Sequence, residues 1–150
     1  MFYLAQLNIA RMTVAYEDPG MQDFIDGLAP VNLSADNSPG FVWRLVTEAS
    51  DEQALFDFEA SGWLVNMSVW ESLEHLKSFV STPLHLSIMR RRTEWFAKQA
   101  EATMVLWWVN AGHVPSFGEA LQRLEQLRTQ GPGPGAFSFS SPFEPPERES

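Results

Sequence analysis

The stretch Val69–Phe96, VWESLEHLKSFVSTPLHLSIMRRRTEWF, contains the end of a predicted strand and two predicted helices. The first helix is indicated by apolar residues that recur at helical spacing: Leu73, Leu76, Phe79 and Val80. The second is predicted to begin at residues 81–83, Ser-Thr-Pro, because a hydroxyl cap there precedes a proline at the first helical position. A strand followed by one-sided apolar helices is typical of a fold in which helices pack on a sheet.

One side of the second helix mixes apolar and titratable residues. If the helix is continuous, its spacing places five residues on that side: His85, Ile88, Met89, Arg92 and Phe96. In a functional interpretation, His85 is a general base or ligand contact and Arg92 holds an anionic oxygen. In a structural interpretation, His85 donates to a backbone carbonyl and Arg92 lies along the surface. Both interpretations stay open at this point.

Five strands are predicted from alternating or continuous apolar runs: Phe2–Arg11, Phe41–Glu48, Trp63–Trp70, Thr103–Asn110 and Ala136–Phe143. A helix is predicted between residues 18 and 37, where Pro30 should kink or divide it. The acidic segment at residues 48–62 is predicted to be a loop. A capping box, Ser116 with Glu119, predicts a last helix that ends at the glycines and prolines of residues 131–135.

This order predicts an α+β fold, a ferredoxin-like βαββαβ unit with extra helices and one antiparallel sheet. If the purely apolar residues of each strand face the helices, the other face is amphipathic. Its predicted members are Gln6, Asn8, Val42, Arg44, Val46, Leu64, Asn66, Ser68, Trp70, Val105, Trp107 and Val109. Because that face suits neither water nor a dry core, we expect a second copy of the chain to cover it and enclose a pocket.

The charge and cysteine content limit the classes of partner. The 150 residues include 19 acidic and 10 basic ones, and the formal charge of −9 repels phosphate backbones and anionic lipids. We therefore expect no nucleic acid and no membrane as partners.

The chain has no cysteine, which removes disulfides and thiolate metal sites. No apolar run reaches the ~20 residues of a membrane span, so we expect a cytoplasmic protein.

The length and the motifs limit the domain plan and the chemistry. We expect one domain over residues 1–143 and a flexible tail over residues 144–150. The sequence lacks a glycine-rich phosphate loop, HExxH, GxSxG and a set of residues with metal-ligand spacing. Hydrolase, nucleotide-dependent and metal-dependent functions are therefore disfavoured.

Four segments together resemble one known family. They are PGFVWRL at residues 39–45, NMSVWESLEHLKSFV at 66–80, HLSIMRRRTEWF at 85–96 and LWWVNAGHVPS at 106–116. They are similar to the domain of unknown function 3291 family of the dimeric α/β-barrel proteins, over about Phe2 to Phe143. The resemblance implies a ferredoxin-like fold whose sheets pair face to face in a homodimer, and it implies no settled activity.

The wider superfamily suggests two kinds of chemistry. It includes antibiotic-biosynthesis monooxygenases and haem-degrading monooxygenases, and the latter use an Asn, a Trp and a ligand His. By that resemblance Asn8 corresponds to the Asn, whereas an ungapped match places Phe79 at the Trp and Met89 at the His. His85 lies one helical turn before Met89, on the same side.

Three functions therefore stay open. The first is an enzyme that oxygenates or rearranges an apolar or aromatic small molecule by acid/base chemistry, without a metal or other cofactor. The second is a haem-binding or haem-degrading protein that uses His85, and the third is a non-catalytic ligand-binding or dimerisation module. The candidate catalytic residues are His85, Arg44 and Arg92, and the candidate substrate-binding residues are Asn8, Asn66, Trp70, Met89, Trp107 and His113.

Overall fold

A computed structural model of the chain describes residues 1–147. Its sheet contains five strands: β1 Phe2–Met12, β2 Phe41–Arg44, β3 Trp63–Trp70, β4 Phe96–Ala97 and β5 Met104–Asn110. Strand β1 pairs with β3 on one side and with β5 on the other, and β2 lies outside β3. The two-residue strand β4 continues the β5 side along the end of β1. All pairs are antiparallel, which confirms the predicted ferredoxin-like α+β fold.

Within the described residues, six α-helices accompany the sheet: α1 Gln22–Asp36, α2 Gln53–Ala60, α3 Leu73–Val80, α4 Pro83–Arg90, α5 Arg92–Trp95 and α6 Phe117–Gln130. The hydroxyls of Ser72 and Ser116 cap α3 and α6 by accepting from His75 N and Glu119 N. Pro30 lies inside α1 and does not divide it. Within residues 1–147, no helix combines the length and apolar character needed to cross a membrane.

The sheet is covered on both faces by the chain itself. On the first, which we call the α6 face, the fully buried Leu7 and Trp107 pack with Leu55 of α2 and Leu124 of α6. On the second, the α3 face, Leu4, Trp70 and Leu106 pack with residues of α3, with Ala35 of α1 and with Phe137. Side chains alternate between the faces along each strand.

The prediction that a second copy covers one sheet face depended on a face that no helix of the same chain covers, and the structure has no such face within the described residues. The acidic segment at residues 48–62 is not a loop, because it contains α2. Leu55 of this helix is fully buried, and α2 joins α6 over the purely apolar face. The prediction that the amphipathic residues face away from the helices was wrong, because Gln6, Ser68 and Trp70 lie on the α3 face. Homodimer formation stays a prediction, but an uncovered sheet face no longer supports it.

The predicted orientation of β5 was wrong. Trp107 pairs with Ala5 and lies on the α6 face, whereas Leu106 pairs with Gln6 and lies on the α3 face. Trp107 is therefore separated by the sheet from Gln6 and Asn8. The run Met104–Asn110 is apolar at nearly every position, so its sequence contains no alternation that could fix which side chains face which way.

Two other predicted elements differ in the structure. Residues 136–143 form no strand, since Phe137 alone pairs with Leu106 through two backbone hydrogen bonds of 2.8 and 2.9 Å. The helix predicted through Phe96 breaks at Arg91, so Arg92 and Phe96 do not extend the side that carries His85. Of the predicted tail, residues 144–147 are in neither helix nor strand and 148–150 lie outside the described residues.

Arg91 holds the helices over the α3 face together. Its guanidinium donates to Asp23 of α1 and to Glu94 of α5, both at 2.8 Å, and lies 4.9 Å from the ring centre of Trp95. Arg91 thereby links α1 to α5.

Replacing Leu55 by alanine tests whether α2 is an integral cover of the sheet. Leu55 is fully buried, so we expect the free energy of unfolding to fall by about 3 kcal/mol. Phe56→Ala on the same helix is the control, because Phe56 is 38% exposed and should lose less than about 1 kcal/mol. Urea unfolding of both variants measures this, and equal losses would contradict the packing described above.

Candidate functional site

A row of polar side chains crosses the α3 face of the sheet. Gln6 Nε2 donates to Asn66 Oδ1 at 2.6 Å and to Ser68 Oγ at 2.8 Å. The register explains the contacts, because Gln6 lies directly opposite Ser68, and Asn8 directly opposite Asn66. We call Gln6, Asn8, Asn66 and Ser68 the polar row. It lies between the apolar residues of this face.

The hydrogen bonds inside the polar row leave specific atoms available. Both hydrogens of Gln6 Nε2 are used, and Ser68 Oγ accepts from Gln6 and, at 2.9 Å, from Trp70 Nε1. Within residues 1–147, Gln6 Oε1 and Asn66 Nδ2 take part in no such bond, nor does the Asn8 carboxamide. The row therefore presents neutral donors and acceptors beyond those it uses to hold itself together.

Solvent reaches one end of the polar row. Gln6 and Ser68 are each 7% exposed, whereas Asn8 is half-buried and Asn66 is exposed although it lies on an inner strand. Asn8 and Asn66 therefore form the end of the row that solvent can reach.

An aromatic stack links the row to His85. Trp70 and Phe79 stack with ring centres 5.2 Å apart and an interplanar angle of 24°, and Phe79 meets the His85 ring edge-on at 5.3 Å. Trp70 is 1% exposed and its indole N–H binds Ser68. Hydrogen bonds and ring contacts therefore connect Asn66 to His85 through Gln6, Ser68, Trp70 and Phe79.

His85 has a defined tautomer and a shifted pKa. Its Nδ1 lies 3.0 Å from the Val80 carbonyl, which can only accept, so Nδ1 donates and Nε2 carries the lone pair of the neutral ring. Burial lowers the pKa of His85, and the hydrogen bond to Val80 opposes this shift. The imidazole is therefore neutral near pH 7 and basic at Nε2. The predicted carbonyl partner is present, and it also orients the ring for a possible catalytic role.

Three predicted site residues do not point to the row's polar atoms. Arg44 lies opposite Ser68 in the sheet, but its Nε donates to the Asp36 carboxylate at 2.8 Å. A charged side chain in an apolar strand needs such a partner. Arg92 is exposed and its Nη1 donates to the carbonyl of Met89 at 2.7 Å. Met89 itself is half-buried on α4. The predicted pairing of His85 with Arg92 on one helical side was wrong, since α4 ends at Arg90.

Trp107 and His113 come together at a different place. Trp107 Nε1 donates to Glu119 Oε2 at 3.0 Å, and His113 Nε2 lies 2.6 Å from Glu119 Oε1. Trp107 is buried on the α6 face, so these residues do not share a site with the polar row.

Three residues that make contacts in these two places were not predicted as site residues. Gln6 is the centre of the polar row, and its signal is a carboxamide in the middle of an apolar strand. Ser68 has a comparable signal, as a small polar residue between buried neighbours. Glu119 was identified only as part of a cap, and its contacts to Trp107 and His113 depend on how β5 and α6 pack.

Two clefts of about 490 and 500 Å³ in the described residues touch neither His85 nor the polar row. Within residues 1–147, no three His, Cys, Asp or Glu side chains converge on one metal position. Haem binding through His85 stays a prediction.

Sequence comparison identifies a family. Residues 3–150 match the domain of unknown function DUF3291. No curated protein matches the chain in sequence.

Solved structures show where the fold occurs. A conserved protein from Methanosarcina mazei is 13% identical, with a TM-score of 0.51, over 73% of this chain and 93% of that one, and it shares the fold. SnoaB from Streptomyces nogalater, described as a cofactor-independent oxygenase, is 14% identical over 76% and 97%, with a TM-score of 0.47. A Chloroflexus aurantiacus protein, provisionally described as an antibiotic biosynthesis monooxygenase, is 19% identical over 75% and 97%, with a TM-score of 0.48.

The pH dependence of stability tests the environment of His85. The unfolded chain protonates this residue near pH 6.5, and the folded chain only at lower pH, since burial lowers the pKa of His85. As the pH falls below about 6.5, the unfolded state binds more protons and the free energy of unfolding decreases. The His85→Gln variant has no titrating group at this position, so this pH-dependent loss of stability is absent from it. We expect the stability difference, wild type minus variant, to be smaller at about pH 5.5 than at about pH 7.5 in urea unfolding. An equal difference at both values would show that burial does not shift His85.

Proposed function

Because the chain belongs to the domain of unknown function DUF3291 family, whose name assigns no activity, we propose its function from the α3 face. The polar row binds an apolar or aromatic small molecule and supports its oxygenation or its acid/base rearrangement. One observation carries the proposal: the row is held by internal hydrogen bonds and open to solvent at Asn8 and Asn66.

The polar row favours a ligand with an uncharged oxygen group. Its four members are neutral, and Arg44 nearby is paired with Asp36. A phenol or carbonyl oxygen can exchange hydrogen bonds with Asn66 Nδ2 and Gln6 Oε1 without the desolvation that a free charge would require. Apolar side chains around the row, such as the half-buried Leu64, complete a site for an aromatic body.

His85 supplies the acid/base step. Trp70 and Phe79 lie between this ring and the row, so a ligand that uses both groups extends past the Phe79 ring. Nε2 accepts a proton from an acidic C–H or O–H at one end of its conjugated body, and the amides of the row hold the oxygen at the other end, on which negative charge develops. In a rearrangement, the proton returns to another atom of the ligand. In an oxygenation at a CH₂ carbon, the carbanion adds O₂ and His85 returns its proton to the peroxide that forms. Loss of the second hydrogen of that carbon, together with cleavage of the O–O bond, then releases water and leaves a carbonyl.

All residues of this site come from one chain. Gln6, Asn66, Trp70 and His85 are joined by contacts within the described residues, so a second copy is not needed to build it. The predicted homodimer is therefore proposed separately from the site. Native mass spectrometry of the freshly purified protein reports the subunit number and any retained molecule, including a haem, in one experiment.

Replacing Asn66 by alanine tests the site directly. The probe is dithranol, a tricyclic phenol with an acidic C–H, followed by tryptophan fluorescence for binding and by an oxygen electrode for turnover. Asn66 is exposed, so the variant should fold while its affinity falls about ten-fold or more, equivalent to ~1.4 kcal/mol.

Two further variants make the result specific. Gln122→Ala is the matched control, because Gln122 is an exposed amide on α6 and should behave as wild type. His85→Gln should retain binding and lose oxygen uptake. If Asn66→Ala and Gln122→Ala bind dithranol equally, the α3 face is not the site. If binding is lost in Asn66→Ala but no oxygen or product change occurs in the wild type, the ligand-binding module without catalysis is the better function.

A further inference from the structure

A second set of chemical groups lies at the start of α6, next to β5. Trp107, Glu119 and His113 form a linear hydrogen-bonded series, in which the carboxylate accepts from the indole at 3.0 Å and from the imidazole at 2.6 Å. Trp107 is fully buried, so it fixes the carboxylate from the core side. Glu119 is also the third residue of α6, where the helix N-terminus favours a negative charge.

This arrangement defines the free nitrogen of His113. A carboxylate only accepts, so Nε2 carries the hydrogen and Nδ1 holds the lone pair of the neutral ring. Within residues 1–147, Nδ1 has no hydrogen-bond partner. The imidazole side chain is 49% exposed and that of Glu119 is 23% exposed. A base oriented by a carboxylate, which is itself oriented by a third group, is the arrangement found in activated acid/base sites.

An open cleft of about 500 Å³ adjoins the series. Its walls include His113, Glu119, Asn110, Arg123 and the rings of Phe2 and Trp108. The volume lies in the range of small-molecule sites, and the aromatic rings offer apolar area to a flat ligand. Asn110 also lines the cleft, but its Oδ1 is buried from solvent and has no hydrogen-bond partner in the described residues, so it is not offered to a ligand.

We propose that this cleft is a second small-molecule site, which binds a phenol through the Glu119-oriented Nδ1 of His113. The ring packs against Phe2 and Trp108, and the hydroxyl donates to Nδ1. When the proton transfers, the phenol O–H bond breaks and an N–H bond forms, which leaves a phenolate beside an imidazolium paired with Glu119. Arg123, whose Nη1 donates to the Gly135 carbonyl at 2.9 Å, places a positive charge on the same wall.

The second site is independent of the polar row. None of the residues that line the cleft belongs to the polar row. Trp107, which orients Glu119, lies on the α6 face, although Trp108 packs on the α3 face. The two proposals can therefore fail separately.

4-Nitrophenol is the probe, because its absorbance distinguishes the phenol from the phenolate. Titration into the full chain is followed by tryptophan fluorescence and by the visible absorbance of the probe. We expect saturable binding, a larger phenolate fraction in the bound probe than in the free probe at the same pH, and at least about ten-fold weaker binding in His113→Gln. Glu119→Gln should remove the phenolate increase, and Glu125→Gln, an exposed change on the same helix, should have no effect.

Three outcomes would overturn the second site: no saturable binding by the wild type, equal binding by His113→Gln, or loss of binding in Asn66→Ala with His113→Gln unaffected. The last outcome would place the probe on the α3 face. Thermal unfolding of each variant verifies that the fold is retained, and His113→Asn serves as a second substitution if His113→Gln is unstable.

Discussion

The register of β1 between its two neighbours determines where the chemistry of this chain lies. Gln6 lies opposite Ser68 of β3 on one side and opposite Leu106 of β5 on the other. The first pairing brings the polar row together, and the second determines which side chains of β5 face the α3 face. A shift by one residue would turn Gln6 into the apolar α6 face and Leu7 towards the helices of the α3 face. The buried carboxamide therefore depends on partners that only this register provides.

The elements that the sequence predicted well are those with a strong local signal. Strand β3 begins and ends where the alternation does, and Ser72 and Ser116 begin α3 and α6 with side-chain caps. Helix α2 was missed because acidic residues surround its few apolar ones and because its importance comes from Leu55, which is buried only through tertiary packing. The pairing of Phe137 with Leu106 is also a long-range contact that residues 136–143 do not encode locally.

The same distinction applies to the candidate sites. Asn66, Trp70 and His85 stand out as polar or aromatic residues in otherwise regular elements, and the structure joins them through Gln6, Ser68 and Phe79. Trp107 could not be separated from them by sequence, because a continuously apolar strand does not reveal its faces. Its association with His113 follows from the packing of α6 and not from any spacing along the chain.

The pairing of Phe137 with β5 has a consequence for the behaviour of the protein at high concentration. An exposed outer strand offers unpaired backbone groups to other chains, and β5 would be such an edge. Two hydrogen bonds to Phe137 pair the backbone of Leu106, in the middle of this edge, with the chain's own C-terminal segment, and the bond from Trp108 Nε1 to the Phe143 carbonyl holds that segment in place. The opposite edge, β2, has only four residues and a register shift between Phe41 and Trp43. Both borders of the sheet thus resist the strand-by-strand growth that leads to aggregation.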